Sequence, residues 1–315
     1  MDIRVLQYFL TVAREESITR AAETLRMTQP PLSRQLKDLE DELGKKLLIR
    51  GSKKVTLTEE GMLLRKRAEE MIDLMEKTKA ELASSDENIN GEIYIGGGET
   101  DAISLFAQAA GKLQEKHPMV HYHIYSGDAE IVMEKLDKGL IDFGLLVGPV
   151  DVSRYDCMRL PVSDTWGVLM RKDSPLAEKD VICAGNLWDK PLIVSQQAYT
   201  GSDISAWLGK DLHKLNVVMT YNLIYNAAHF VKAGFGYAIT LDNLVNTTGE
   251  SELCFRPLYP ILKAELSIVW KKYQVFSRAS KEFLRLLKSE WELEGVAPDE
   301  LSLHEMEGEI CLEQF

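Results

Sequence analysis

The chain has 315 residues, 45% of them hydrophobic and 27% charged, with a formal net charge of −12. That length suggests about two to three folding units of roughly 100–200 residues each. No apolar run approaches the roughly 18–20 residues that cross a bilayer, so no membrane partner is expected. The opening MDIRVLQYFLTVAREES has no basic stretch leading into an apolar core and a small-residue cleavage site. A cytoplasmic location is therefore the expectation. Cys157, Cys183, Cys254 and Cys311 are far apart and form no CxxC pair or Cys/His zinc spacing, so isolated reduced thiols and no metal site are expected. The charge is uneven. Residues 1–57 carry 11 Lys and Arg against 8 Asp and Glu, a net of +3, which leaves −15 for the rest. A slightly basic head on an acidic body can approach a polyanion while the body stays soluble.

In chain order, Ile3, Leu6, Phe9, Leu10 and Ala13 recur at helical spacing. Ser17 is placed to cap a second helix, and the small pair Ala21-Ala22 lets a neighbour pack close. After a turn at Arg26-Met27, Thr28 is a candidate cap for a third helix. Pro30 and Pro31 fall in its first turn, where proline is tolerated, and Gly44 is its stop. Residues 45–57 read as strand, turn and strand, with Gly51-Ser52-Lys53-Lys54 at the tip. Thr58 then caps a long helix to about Ser84, whose broad apolar side (Leu64, Ala68, Met71, Met75, Leu82) calls for a partner. Residues 84–91 read as a polar hinge.

From Gly91, strands at 92–96, 121–125 and 141–146 alternate with helices at about 101–115 and 131–138. That order implies a mainly parallel sheet covered on both faces. A second unit begins near Asp164, with strands at 167–171, 192–194, 217–220 and 236–240, and ends near Trp270. A last helix runs from Arg278 to about Trp291, with Phe283, Leu284 and Leu287 on one face. The tail from Glu292 is acidic.

Two short helices, a tight turn and a basic hairpin describe a winged helix-turn-helix. Its second helix enters the major groove of DNA with its N-terminal residues toward the bases. Here those residues are Thr28, Gln29, Pro30, Pro31, Ser33 and Arg34. Gln suits adenine, Arg suits guanine, and the apolar groups of Thr and Pro suit thymine methyls. Arg50, Ser52, Lys53 and Lys54 in the wing suit phosphate or the minor groove. Ser17 and Thr28 serve equally well as caps.

The head resembles the LysR-type transcriptional regulator family. The matching stretches are Leu6-Gln7-Tyr8-Phe9, residues 17–23, 29–35 and 39–44, Leu48-Ile49-Arg50 and residues 57–61. Residues 91–96 and 231–239 match the family more loosely. The resemblance implies a sequence-specific DNA-binding regulator of transcription, without enzymatic activity, controlled by a small-molecule co-inducer and needing no cofactor. Its C-terminal part would have two α/β subdomains, each like half of a periplasmic binding protein, joined by two crossing strands. The expected organisation is a winged helix-turn-helix at 1–57 and a linker or dimerisation helix with hinge at 58–90. Subdomain I would take 91–161 and 271–291, subdomain II 162–270, and the tail 292–315. Expected partners are double-stranded promoter DNA, a second copy or three, as a homodimer or homotetramer, and RNA polymerase.

In open parallel sheets, ligands lie beyond the carboxyl ends of the strands. Those ends are Gly98 to Asp101, Ser126 to Asp128 and Val147-Gly148 in the first unit, and Ser195 to Gln197, Tyr221-Asn222, Thr240 and Asp242 in the second; of these Glu99, Thr100, Ser126, Gly127, Val147, Ser195, Gln196, Tyr221 and Thr240 are the candidate effector contacts. Thr100, Ser126 and Ser195 match the family's effector positions best, with helix capping as the alternative role. Glu99 and Asp101 put negative charge at a helix start, which disfavours a bare organic anion; Asp101 can also serve as that helix's cap. A solute-binding or enzymatic α/β protein with an accessory DNA-binding head is the competing reading. Against an enzyme, Gly96-Gly97-Gly98 lacks the Lys-Ser/Thr ending of a phosphate loop, and no GxSxG or HExxH occurs. His121 and His123 form a pair without further ligands.

Overall fold

The computed structural model describes residues 1–51, 54–83, 89–201 and 203–293. The expectations for Ser52, Lys53, most of the polar hinge, Cys311 and all but the first residues of the acidic tail lie outside them. The chain forms two compact units, Met1–Ala83 and Ser84–Phe315.

The first unit holds α1 (Ile3–Glu15), α2 (Ile18–Thr24), α3 (Gln29–Leu43), β1 (Leu48–Arg50), β2 (Val55–Leu57) and α4 (Glu59–Ala83). Phe9 and Val12 of α1, Ala21 and Ala22 of α2, and Leu32, Leu36 and Leu39 of α3 meet in one core with Leu47, Leu48 and Val55. The expected caps at Ser17 and Thr58 form: Ser17 Oγ accepts from Arg20 N, and Thr58 Oγ1 from Gly61 N. Gly44 ends α3 at φ 64°, in the left-handed region that favours glycine. Thr28 stands at the cap position of α3 but makes no capping bond. A capping side chain accepts from the second or third helical amide. Those residues are Pro30 and Pro31, which have no N–H. β1 and β2 pair antiparallel, Leu48 opposite Leu57 and Arg50 opposite Val55. α4 packs against α1 and so belongs with the head.

The second unit is built from two lobes. Lobe I has β3 (Gly91–Gly97), α5 (Ile103–Lys116), β4 (Val120–Ser126), α6 (Ala129–Asp137) and β5 (Phe143–Val147). Next, β6 (Tyr155–Arg171) runs without a break into lobe II. There follow β7 (Ile182–Cys183), β8 (Leu192–Ser195), α7 (Gln196–Thr200), α8 (Asp203–Leu208), β9 (Val217–Tyr221), α9 (Ile224–Lys232), β10 (Tyr237–Leu241) and β11 (Leu253–Tyr259). β12 (Lys263–Lys271) returns to lobe I, where α10 (Arg278–Leu293) packs on α5.

The strand order β4-β3-β5-β12-β6-β10-β8-β9 is shared across both lobes, and β11 pairs with the far half of β6. β3, β4 and β5 are parallel, as are β8, β9 and β10. The returning strands are not: β12 runs antiparallel to β5 and β6, and β6 antiparallel to β10 and β11. The sheet is therefore mixed rather than mainly parallel. Asp164, near which the second unit was expected to begin, lies inside β6, which continues from one lobe into the other. Ser163-Asp164-Thr165 interrupts the apolar pattern at the point where the strand leaves β12 and takes up β10.

Lobe I buries Ile93, Phe106, Phe143, Phe283 and Leu287 on one face and Val132, Leu136, Ile141 and Tyr155 on the other. Lobe II does the same with Leu192, Val194, Ile204 and Leu258, and with Ile193, Ala227 and Val231. The glycine run lies partly within β3. A Cβ on Gly96 would come within 2.6 Å of Ile141 Cδ1, so glycine there serves packing against lobe I's second core. No helix among the described residues is long and apolar enough to cross a membrane.

Candidate DNA interface and effector cleft

The apolar side of α3 is spent entirely on the core, which turns its polar N-terminal side outward. Thr28, Gln29, Pro30, Pro31 and Arg34 are exposed and Ser33 is half-buried. Thr19 of α2 reaches Gln29 (Oγ1 to Oε1, 3.5 Å). Arg50 at the end of β1 donates to Ser33 Oγ at 3.0 Å, so the wing strand is tied to the helix it flanks. Lys54 is exposed and lies 3.4 Å from Glu16. Exposed pairs of that kind are weak and screened by salt, so Lys54 can exchange Glu16 for another anion.

Glu40 was missed as a functional position by sequence reasoning. It is 4% exposed. Its Oε1 accepts Leu47 N and Leu48 N at 2.9 and 3.2 Å, and Oε2 accepts Lys46 Nζ at 3.0 Å. Burial alone would raise its pKa. The bonds from Leu47, Lys46 and Leu48 outweigh burial and hold it below the usual carboxylate value. One buried carboxylate thus fixes where the chain leaves α3 and enters the wing.

In the second unit, Glu99 and Thr100 follow β3. Thr100 is 4% exposed, and its Oγ1 accepts Ala102 N at 3.2 Å. That bond closes the turn before α5; Ala102 stands at the cap position of the helix with no side-chain cap, and the Asp101 side chain is exposed and does not supply one. Ser126 is exposed at the end of β4, and Gly127 N donates to Gly97 O at 3.0 Å. Ser195 caps α7, its Oγ accepting Ala198 N at 3.0 Å, and Gln196 is exposed. Tyr221 donates its hydroxyl to Ile239 O at 2.8 Å. Burial pushes its pKa well up, with the neighbouring Glu99 charge adding to the effect. Thr240 is buried beside it.

Among the described residues, two side-chain bonds reach from one lobe to the other. Glu99 Oε2 of lobe I accepts the first amide of α9, Ile224 N, at 2.5 Å. Gln197 Nε2 of lobe II donates to Val147 O of lobe I at 3.0 Å. The candidate residues Glu99 and Val147 thus lie on the cleft edges, where each touches the opposite lobe. Ser126 and Gln196 make no comparable contact. Asp164 was not among the expected site residues, whereas Gln197 and Asp242 were read at strand ends, and all three occupy the same junction. Asp242 Oδ1 accepts Thr165 N, and Asp242 N donates to Thr165 O, both at 2.9 Å.

Residues 3–62 match the bacterial regulatory helix-turn-helix protein, lysR family, and residues 86–292 match the LysR substrate binding domain. The chain belongs to the LysR family. It is a DNA-binding transcriptional regulator with an effector-binding domain. Among curated relatives, the regulator YfeR of Shigella flexneri is 26% identical over 282 residues, 89% of this chain and 91% of that one. The Hca operon transcriptional activator HcaR of Escherichia coli is 26% identical over 292 residues, 91% and 97% of the two chains. Full-length CbnR, solved with its target DNA, shares the fold with a TM-score of 0.72 at 17% identity, over 92% of this chain and 99% of that one.

Proposed function

We propose that this LysR-family regulator reads double-stranded promoter DNA with Gln29, Ser33 and Arg34 of α3, assisted by Arg50 and the lysines of the wing. It works in the cytoplasm as a homodimer or homotetramer. A small-molecule co-inducer settles between the lobes, beside Thr100, Val147, Ser195, Tyr221 and Thr240, and changes what the bound protein presents to RNA polymerase. The observation that carries the reading is the division of α3, with Leu32, Leu36 and Leu39 buried and Gln29 and Arg34 exposed at the end a recognition helix offers to base edges. A ligand shifts the lobes only by binding one arrangement better than the other, and typical coupling of about 1–3 kcal/mol would alter promoter occupancy without abolishing DNA binding.

The test is footprinting on the intergenic DNA beside the gene, with and without candidate metabolites. A protected site that survives physiological salt, and whose pattern changes with one metabolite, is the expected result. Binding that disappears into competitor DNA would remove the regulator reading.

A further inference from the structure

We propose that the effector cleft is built for a small metabolite carrying a protonated amine, received by Asp164 at the base of the junction. This rests on the reading that the cleft holds the effector, and it names the effector's chemical class.

Asp164 is 5% exposed, and its Oδ2 is buried without a hydrogen-bond partner. It lies on β6 where that strand passes from one lobe to the other. Thr100 of lobe I reaches it from one side. Asp242, at the lobe II end, and Asp101 are the charges that bear on it, and both are negative. Burial, opposed by the Thr100 hydrogen bond and reinforced by Asp242 and Asp101, raises its pKa. Among the described residues no cation balances this carboxyl. A buried acid left this way is costly unless something else supplies the donor.

Several of the groups that would take an organic anion already have acceptors within the chain. Helix N-termini are the usual anion sites because their first amides are free. Here the first amides of α5, at Ile103, Ser104 and Leu105, donate to the backbone carbonyls of Thr100, Asp101 and Ala102, while Asp128 caps α6 through Ile131 N and Ser195 caps α7 through Ala198 N. The first amide of α9 is held by the carboxylate of Glu99, reaching across from the other lobe. A carboxylate ligand would have to displace the chain's own acid and then sit among Glu99, Asp101, Asp164 and Asp242. An ammonium group instead gains an acceptor that lacks a donor, in a field of matching sign. Among the described residues no three His, Cys, Asp or Glu side chains are placed to hold a metal ion. The occupant is therefore an organic cation, whose several N–H donors can reach acceptors spread wider than a metal's first shell.

The experiment uses the full chain and probes matched in shape but opposite in charge: benzylamine against benzoate, and ethanolamine against glycolate, at equal ionic strength. Magnesium chloride is the inorganic control. Thermal shift and calorimetry are read on the wild type and on Asp164→Asn, which keeps the shape and removes the charge. The expected result is stabilisation by at least one amine and by neither carboxylate, with affinity at least about tenfold weaker in Asp164→Asn. In calorimetry, binding at a pH where Asp164 is partly protonated should release protons, seen as a heat that depends on the buffer's ionisation enthalpy. Stabilisation by the carboxylates alone, by magnesium, or by none of the probes would overturn the proposal. So would amine binding that is equal in the two proteins. Operator retention is measured on the same samples. Its loss counts against the regulator reading, whereas retained DNA binding without amine binding counts against the ligand class alone.

Discussion

At the scale of single residues, two side chains of the head have opposite duties. Arg34 is exposed and makes no contact that folding needs. Arg34→Ala should leave the melting temperature unchanged and weaken specific operator binding by about 1–3 kcal/mol, the usual cost of a lost bidentate base contact. Titration of labelled operator checks this, and unchanged affinity would take Arg34 off the DNA. Glu40 touches no DNA-facing group but holds two backbone amides and Lys46. Glu40→Ala should destabilise the head by about 2–3 kcal/mol, because Leu47 N and Leu48 N are left buried without an acceptor. Glu40→Gln should cost less, since its amide oxygen still accepts. The folded pKa of Glu40 lies below its unfolded value of 4.5. Its contribution is therefore complete above about pH 4.5 and is lost as pH falls through the lower folded value. The gap between acid melts of wild type and Glu40→Ala should accordingly narrow at low pH toward the smaller cost seen with Glu40→Gln, and curves that stay parallel would contradict the assignment.

At the scale of elements, the informative case is α9. Its cap position is held by Leu223, which has no side-chain acceptor, so the helix takes its acceptor from Glu99 on another lobe. A helix start served from across a gap couples its own order to closure of that gap. Glu99→Ala should speed hydrogen exchange at the first amides of α9 by about tenfold, which corresponds to about 1.4 kcal/mol of lost protection. The first amides of α7 keep their local cap at Ser195 and should not change. Exchange that rises equally at both helices would indicate general loosening rather than loss of one bond.

At the scale of the whole molecule, α4 stands out. Ala68 is buried, but Met62, Leu63, Leu74 and Leu82 are exposed in the single chain. A helix of 25 residues with that much bare apolar surface gains by self-association, and a two-fold pair of heads suits a two-fold DNA site. Leu74→Glu should lower the molar mass seen by light scattering at a fixed concentration without lowering the melting temperature of the monomer, because Leu74 is 43% exposed there. An unchanged mass would place the subunit contact elsewhere.

Local rules made much of this legible in the sequence. The spacing of Leu32, Leu36 and Leu39 with Gly44 specifies α3 and its exposed side. Ser17 and Thr58 announce two helix starts, and short apolar runs bounded by turn residues mark β3, β4, β5, β8, β9 and β10, because period, cap chemistry and φ preference act within a few residues. Thr28 failed as a side-chain cap for an equally local reason, the missing amides of Pro30 and Pro31. What only the tertiary structure decided are the partners far apart in the chain: Glu40 with Leu47 and Leu48, Glu99 with Ile224, Gln197 with Val147, and Asp164 with one oxygen held by Thr100 and the other without a partner. Nothing near Asp164 in sequence distinguishes it from a loop aspartate. Its burial and its lack of a donor arise only when β6 is shared by two lobes, because desolvation and charge depend on what surrounds a group in space.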